Sequence, residues 1–550
     1  MKGISVVSSA PAASPLAPLR HPTYRNIWIA NLVSSFGGLI QGVGAAWLMT
    51  SIATSVDMVA LVQASTTLPI MLFSLIGGAI ADGFNRKQVM ITAQLFMLAV
   101  SIALMVTTAF GLINPWLLLS FTFLIGCGTA LNNPSWQASV GDMVPRSDLP
   151  SAVALNSIGF NLSRSVGPAV GGLIVAAFGA ATAFAANTLS YVGLLFVLIR
   201  WSPPPVENVL PREPMGRALL SGLRYVWMSP GIGKVLLRGS VFGFSAVVIL
   251  ALLPVVAAQL PGGGPMVYGL LLGAFGLGAV GGALLSGRLQ QLLGSESLVR
   301  LAFAGFAACA LLTAFGGSAW ITALALLLGG ACWVLALSLF NVSVQLASPR
   351  WVVGRALSFY QTATFGGMAL GSWLWGLCAE TYGLTAALVG AAVVMLAGAL
   401  LGMIFPLPPR EAVDLDPLGR WKIPEVGLDL QPRSGPIVVE ITYTIPEDSV
   451  TEFLIVMADR QRIRRRDGAR AWRLLRDLAD PRLWTESYQT PTWTDYVRHN
   501  LRLTKADAQV SEKLRALHKA DNPPQVRRLV ERPVHWLAAV ANAKDVIDPP

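Results

Sequence analysis

Apolar stretches of about 20 residues recur through the first four hundred residues of this chain, and the lysines and arginines fall on alternate sides of them. That length is what a helix needs to cross a bilayer. With mean hydropathy +0.60, 54% hydrophobic residues and only 13% charged, lipid must be the solvent for most of the surface. The pattern gives about twelve spans, roughly 26–50, 58–81, 88–110, 115–139, 151–178, 180–200, 234–259, 266–287, 297–316, 319–346, 356–380 and 384–405. The turn after the first span holds Asp57, and the turns after the third, seventh and ninth hold "GLINP", "PGGGP" and "GGSA", all without Lys or Arg. The opposite connections carry Arg86, Lys87, Arg146, Arg200, Arg212, Arg217, Arg224, Lys234, Arg288, Arg300, Arg350 and Arg355. The positive-inside rule then predicts a multi-pass protein of the inner (plasma) membrane with both termini cytoplasmic.

One cation breaks the pattern. Arg164 lies inside the fifth span, about 20 Å along a helix that starts near residue 151. A guanidinium at that depth costs at least ~2.5 kcal/mol, so it is expected to face the bundle interior and to serve as an anion site. The excess of basic residues that gives a net charge of +11 is accounted for by topology, so no nucleic-acid partner is expected. Cys127, Cys309, Cys332 and Cys378 all fall in apolar segments and read as small core residues, with no disulfide or metal framework. Residues 1–20 form a Ser/Ala/Pro tail without the apolar region of a cleavable signal.

The two halves repeat. "GGAIADG" from Gly77 matches "GGALLSG" from Gly281, and Asn133 and Gln137 match Asn341 and Gln345. Pro22 precedes span 1 as Pro230 precedes span 7. Same-sense repeats of six spans imply two bundles related by an axis along the membrane normal. The chain divides into a tail (1–20), a first bundle (21–200), a linker loop with Pro203, Pro204 and Pro205 (201–233) and a second bundle (234–405). Then come a Pro-rich linker (406–435), a domain alternating as strand, helix, strand, strand, helix, strand (436–535) and a terminal tail (536–550). That alternation predicts a cytoplasmic ferredoxin-like α+β domain. Its first helix carries Val450, Phe453, Leu454 and Met457 at helical spacing, and the basic run from Arg460 to Arg466 reads as a solvated face.

Uncharged polar residues within spans complete the candidate path. Asn133/Gln137 and Asn341/Gln345 are each four apart, on one helix face, and with Tyr360 and Gln361 they are candidates for substrate contact alongside Arg164. Gln41, Asn132 and Asn156 are further polar groups in spans. No carboxylate lies in mid-span. Asp57 and Glu380, near span ends, are the proton-coupling candidates. "GLGAVG" (Gly276, Gly278, Gly281) sits inside a span with no strand before it, so it reads as small-residue helix packing rather than a dinucleotide loop.

"GGAIADGFNRK" resembles the signature loop of the major facilitator superfamily, with Gly78, Asp82, Arg86 and Lys87 in place. Gly83 and Asn85 depart from its usual Arg and Gly. The resemblance implies that Asp82 caps a neighbouring helix end in one conformation and releases it in the other. "GPAVGG" resembles the fifth-helix motif typical of the family's exporters, with Gly167, Pro168, Gly171 and Gly172 as a hinge. Ser163 stands where that motif usually has a further glycine. "ALNNPSWQASVGDMVPRSDLPSAVALNSIGFNLSRSVGPAVGG" resembles the secretion-effector branch that includes enterobactin exporters. These resemblances imply the major facilitator fold, twelve transmembrane helices in two six-helix bundles. They imply a secondary active exporter of a siderophore-like or other anionic, amphipathic small molecule, working by alternating access and proton antiport. "GARAWRLLRDLADPRLWTESY" and "TWTDYVRHNLRLTKAD" resemble the antibiotic-biosynthesis-monooxygenase type of dimeric α+β domain, which implies a homodimer through the tail. No catalytic residue transfers with it. The chain is therefore read as a non-enzyme without cofactor or metal, its partners being a small-molecule substrate, a coupling proton and membrane lipid. Two other readings stay open, a multidrug exporter of lipophiles and a membrane-anchored sensor or enzyme acting through the tail.

Overall fold

The computed structural model describes residues 16–145, 148–203, 215–349, 351–407, 415, 418, 421, 423–520 and 522–531, and leaves out a few helical side chains, those of Gly78 and Asp82 among them. Six long helices form the first half: α1 (Pro22–Ile52), α2 (Val56–Gly83), α3 (Arg86–Ala109), α4 (Pro115–Ser139), α5 (Leu149–Phe178) and α6 (Ala180–Arg200). A short helix, α7 (Met215–Trp227), occupies the stretch expected to be linker loop. The second half holds α8 (Pro230–Gln259), α9 (Pro265–Phe315), α10 (Ala319–Leu346), α11 (Val353–Tyr382) and α12 (Leu384–Ile404). The 51-residue α9 breaks at Gly294, where φ is 75°, so it serves as the eighth and ninth spans together. Among the described residues nine helices, α9 counted once, are long and apolar enough to cross a membrane.

Local chemistry sets the helix ends. Asn85 and Asn114 cap α3 and α4, accepting from the Lys87 and Leu117 amides at 3.0 and 2.9 Å. The halves repeat at their turns: Gly179 joins α5 to α6 with φ 82°, and Gly383, 204 positions on, joins α11 to α12 with φ 90°. Both need the left-handed region that a side chain disfavours. Inside the first half, buried Gln41, Ser101, Asn187 and Thr188 tie α1, α3 and α6 together. Asn187 Nδ2 donates to Gln41 Oε1, and the Ser101 and Thr188 hydroxyls lie 2.9 Å apart. In lipid such polar groups must find one another.

The chain forms two compact units. One contains the membrane helices. The other gathers Gly216–Gly233, Val344–Ala356 and the described residues from 415 onward. In the second unit lie β1 (Ile437–Thr444), α13 (Val450–Arg466), β2 (Arg470–Arg476), β3 (Leu483–Thr490), α14 (Trp493–Leu501), α15 (Lys505–Leu517) and β4 (Gln525–Val530). The sheet order is β2-β3-β1-β4, and every pairing is antiparallel. Alternation on β1 turns Ile437, Val439, Ile441 and Tyr443 inward against Phe453, Met457 and Trp484.

The basic run on α13 is only partly a solvated face: Arg462 and Arg465 are exposed, but the rest turns inward. Arg460 and Arg464 are buried, and Glu486, inward on β3, meets them at 3.5 and 3.2 Å. Trp472 Nε1 donates to the same carboxylate at 3.2 Å, and Arg464 Nη1 donates to His499 Nε2 at 2.8 Å. Arg466 bridges Asp467 and Asp507 at 2.8 and 2.9 Å. Burial alone would raise the Glu486 pKa, but Arg464 and Arg460 together hold it below the usual carboxylate value. Burial, reinforced by Arg464, pushes the His499 pKa well below its ordinary value and keeps the ring neutral.

Removing one partner of a buried charge pair leaves the other uncompensated, so Glu486→Ala should cost about 3–5 kcal/mol. Hydrogen exchange of residues 437–530 in the full-length protein measures this; unchanged protection would contradict a structural role for the pair. A folded-state His pKa below the unfolded one adds stability above pH ~6.5 that fades as pH falls below it. Protection of the domain should therefore weaken between pH 7 and 5. His499→Gln, which keeps an acceptor for Arg464 but does not titrate, should flatten that slope.

Candidate functional site

Arg164 sits midway along α5, and its guanidinium lies over two rings, 5.7 Å from the centroid of Phe275 on α9 and 5.5 Å from that of Trp333 on α10. Among the described residues no carboxylate pairs with it. Each ring face contributes about 0.5–2 kcal/mol to holding a cation. Among the described residues the arrangement thus sets ring faces, and no counter-ion, against a charge in the middle of the bundle.

The glycines around Arg164 let helix backbones touch. A Cβ on Gly276 would lie 2.5 Å from the Arg164 carbonyl oxygen, and one on Gly172 would lie 2.7 Å from that of Pro265 and 2.8 Å from the Gly269 Cα. A Cβ on Gly269 would lie 2.7 Å from the Pro168 carbonyl oxygen. Gly167 and Gly171 face α1 instead, where a Cβ would come within 3.1 Å of Leu39 and 3.0 Å of Ile40. The segment 167–172 thus wedges α5 between α1 and α9. Gly278, from the same "GLGAVG" run as Gly276, abuts the Leu327 backbone on α10, whereas Gly281 faces open space. The repeat carries these contacts with it: Gly376, 204 positions after Gly172, sets α11 against Asp57 and Ala60 of α2.

The signature loop bolts the first half together. Arg86 Nη1 donates to Ala138 O at 3.1 Å and to Asp142 Oδ2 at 2.9 Å, and Lys87 Nζ donates to Ile199 O at 2.9 Å. Both cations meet the C-terminal ends of helices, where the dipole favours them. Gly78 and Asp82 lie outside the described side chains. At the opposite end lie the two proton-coupling candidates, each with its own partner. Asp57 accepts from Ser55 Oγ, and Glu380 on α11 accepts from the Val56 amide, the first of α2, at 2.6 Å. A carboxylate from one half therefore caps a helix of the other. Trp47 on α1 stacks on Tyr268 on α9 near the same end, centroids 6.4 Å apart.

Asn133, Gln137 and Gln345 are exposed and Asn341 is half-buried, all close to the ends of α4 and α10 that carry the basic connections. Tyr360 is buried, its hydroxyl donating to Leu337 O on α10 at 3.2 Å, and Gln361 beside it is half-buried. The polar pairs are thus set toward one end of the helices, away from Arg164.

Sequence reasoning missed a second buried cation. Arg238, two turns into α8, is fully buried, with Nη1 2.6 Å from Glu296 Oε2. Glu296 also receives Arg300 Nε at 2.8 Å and the Leu407 amide at 2.9 Å, while Arg300 Nη2 donates to Gly402 O at 3.0 Å. This knot ties α8 and the second part of α9 to the end of α12. The signal was present: Arg238 already falls inside the seventh span as read, 234–259, four residues from its start. Phe275 and Trp333 gave no such signal, because an aromatic in an apolar span looks the same whether it packs against leucine or a cation.

Two bundles of repeated helices with a charged residue between them define a transporter of the major facilitator fold. The chain belongs to the transmembrane secretion effector family, which matches residues 13–534. It is 27% identical to "Enterobactin exporter EntS" of Escherichia coli O1:K1 / APEC over 363 residues, 65% of this chain and 85% of that protein. It is 29% identical to the "Staphyloferrin A transporter" of Staphylococcus aureus (strain NCTC 8325 / PS 47) over 156 residues, 28% of this chain and 39% of that one. The crystal structure of an auto-inhibited POT family peptide transporter superposes with a TM-score of 0.55 at 13% identity, over 74% of this chain and 98% of the other.

The backbone contact between α5 and α9 can be tested directly. Gly172→Val must push two backbones apart, at a cost of about 1–3 kcal/mol for overpacking. The expected result is a lower melting temperature in detergent and loss of transport in protein that still inserts. Gly193→Val, facing open space on α6, should change neither.

Proposed function

We propose that this chain exports an anionic, amphipathic small molecule of siderophore-like character by alternating access of its two bundles. Arg164 carries this reading: a guanidinium held at mid-span by two aromatic faces and, among the described residues, by no carboxylate is suited to a ligand anion. The Phe275 and Trp333 rings beside it suit a substrate that brings aromatic or lipophilic surface with its charge. Two of the relatives named above are an enterobactin exporter and a staphyloferrin A transporter, which supports a siderophore-like substrate here. The end with the basic loops is taken as cytoplasmic. Asn133, Gln137, Asn341 and Gln345 then sit toward the cytoplasmic entrance, and the Glu380 cap on α2 and the Trp47–Tyr268 stack bridge the outer end. Gly167, Pro168, Gly171 and Gly172 act as the hinge, and Asp82 gates the cytoplasmic side with Gly78, Arg86 and Lys87. Proton antiport is the coupling proposed, with Asp57 and Glu380 as the titrating pair.

The soluble domain acts as a restraint on the α10–α11 connection. Arg502 lies over Trp351 at 4.1 Å, Tyr225 of α7 donates to Ala347 O at 3.0 Å and packs edge-on against Trp351, and Arg355 donates to Ser221 Oγ at 2.8 Å. A connection that must move during alternating access is thus gripped within one compact unit.

The exporter reading is tested by mass spectrometry of cells and medium from a deletion strain and its complemented parent in iron-poor medium. The expected result is a compound trapped in the deletion cells and returned to the medium by complementation. Arg164→Ala should then lose a charge-assisted hydrogen bond of about 1.5–3 kcal/mol, weakening apparent affinity ~10- to 150-fold at unchanged membrane abundance. Arg164→Lys should recover only part of this, since an ammonium does not reproduce the planar fork. Wild-type transport by Arg164→Ala would instead favour a multidrug exporter of neutral lipophiles. Removal of residues 436–550 should leave flux measurable but altered in rate; complete loss of function with normal insertion would favour a tail-centred protein.

A further inference from the structure

Helix α7 has two unlike faces. The buried one carries Ser221, Gly222, Tyr225 and Val226. It is occupied: Ser221 accepts from Arg355, Tyr225 donates to Ala347 O, and the Arg466 guanidinium lies 5.6 Å from the Tyr225 ring. The other face carries Leu220, Leu223 and Trp227, spaced three and four apart, so that they line up as one stripe. They are 61%, 46% and 85% exposed. Arg217 and Arg224 flank the stripe on one side, Arg217 with its Nη1 also 3.6 Å from Asp495 Oδ2. Three large apolar side chains aligned on a helix whose back is already packed are not the leftover of a poor core.

We propose that α7 lies in the membrane interface, with Leu220, Leu223 and Trp227 entering the acyl boundary of the leaflet and Arg217 and Arg224 meeting anionic headgroups. Three observations single out lipid as the occupant. The chain cannot take Trp227 far from the bilayer, because only Met228 and Ser229 separate it from Pro230, the first residue of a membrane helix, a reach of about 10 Å. The residue composition is that of an interfacial helix, a tryptophan and leucines on one face with arginines beside them. The charge matches too, since α7 belongs to a connection on the basic side of the spans, where anionic lipid attracts Lys and Arg. A helix fixed this way would give the α10–α11 connection and the soluble domain a common anchor at the membrane surface. The proposal rests only on the chain being a membrane protein, not on the substrate assigned above.

The test places a photoreactive benzoyl-phenylalanine at Leu223, at Trp227 or at Arg462, which is 65% exposed on α13, in the full-length protein. The protein is reconstituted in nanodiscs of phosphatidylethanolamine and phosphatidylglycerol. Illumination should add a lipid mass to the variants labelled at 223 and 227, several-fold above any yield at 462. The double charge reversal Arg217→Glu, Arg224→Glu should lower the share of phosphatidylglycerol among the adducts while leaving phosphatidylethanolamine adducts in place. Adducts at 227 no more frequent than at 462 would overturn the proposal, because the stripe would then face water. Adducts formed to protein instead of lipid would overturn it equally, by showing that another polypeptide segment covers the stripe. Transport of any substrate is not needed for the readout, so a failed substrate assignment leaves this result interpretable.

Discussion

A cation removed from water needs something to replace its hydration, and three arginines in this chain receive three different answers. Arg238 is paired through Nη1 with Glu296, whose second oxygen takes Arg300, and the same Nη1 lies 3.5 Å from the Phe405 carbonyl oxygen. Arg464 is matched to Glu486 and to a neutral His499 inside the soluble domain. Among the described residues Arg164 receives only ring faces. In the first two a carboxylate supplies the counter-charge, and each pair joins separate elements. The third has no counter-charge among the described residues, and that is what supports the proposal that it takes an anion. The contrast is why Arg164, rather than the more deeply buried Arg238, is the residue to assign to substrate.

The placing of Arg164 depends in turn on glycine. Its own carbonyl is met by Gly276 so closely that no side chain fits, and this brings α9 near enough for Phe275 to reach the guanidinium. The same logic joins Gly172 to Gly269 further along. Between helices in lipid there is little hydrophobic gain, so close backbone approach and dispersion must supply the cohesion. A surface of small residues can also separate and re-form without interlocking side chains, which a pair of bundles that must alternate requires. The motif at 167–172 is therefore better understood as a two-sided bearing, α1 on one face and α9 on the other, than as a flexible point in α5.

Much of this was legible in the chain. Apolar length and the alternation of basic loops gave the spans, and the strand-helix alternation after residue 436 gave the order of elements in the sheet domain. Small-residue packing was readable from Gly276 and Gly278. What escaped followed from three-dimensional neighbours. Arg460 and Arg464 read as solvated because runs of arginine usually are, yet they lie four apart on the helix face that meets the sheet. The missing clue was Glu486, which alternation places on the same side of β3 as Trp484 and Tyr488. An acid at an inward position demands a cation, and α13 was the place to look. Helix α7 escaped because Pro203, Pro204 and Pro205 coloured the reading of the whole connection, although the spacing of Leu220, Leu223 and Trp227 is helical.

Duplication explains the scaffold, and departures from it explain the chemistry. Gly167 and Gly371, Gly172 and Gly376, and Gly179 and Gly383 are each 204 positions apart and do the same work in each half: contact with the first helix of their own bundle, contact with the second helix of the other bundle, and a left-handed turn. At the same spacing Arg164 is answered by Met368, a buried apolar residue. Glu380, the cap on α2, is answered by Ala176. A symmetric pair of bundles would offer a ligand two equal half-sites and no preferred polarity. Charge placed in one repeat only breaks that equivalence: Arg164, proposed above to accept the anion, belongs to the first half, and Glu380, the carboxylate that caps α2, belongs to the second. Binding at one and release at the other can then bias the same pair of interfaces in opposite senses, which is the minimum a carrier needs to couple occupancy to the direction in which it opens.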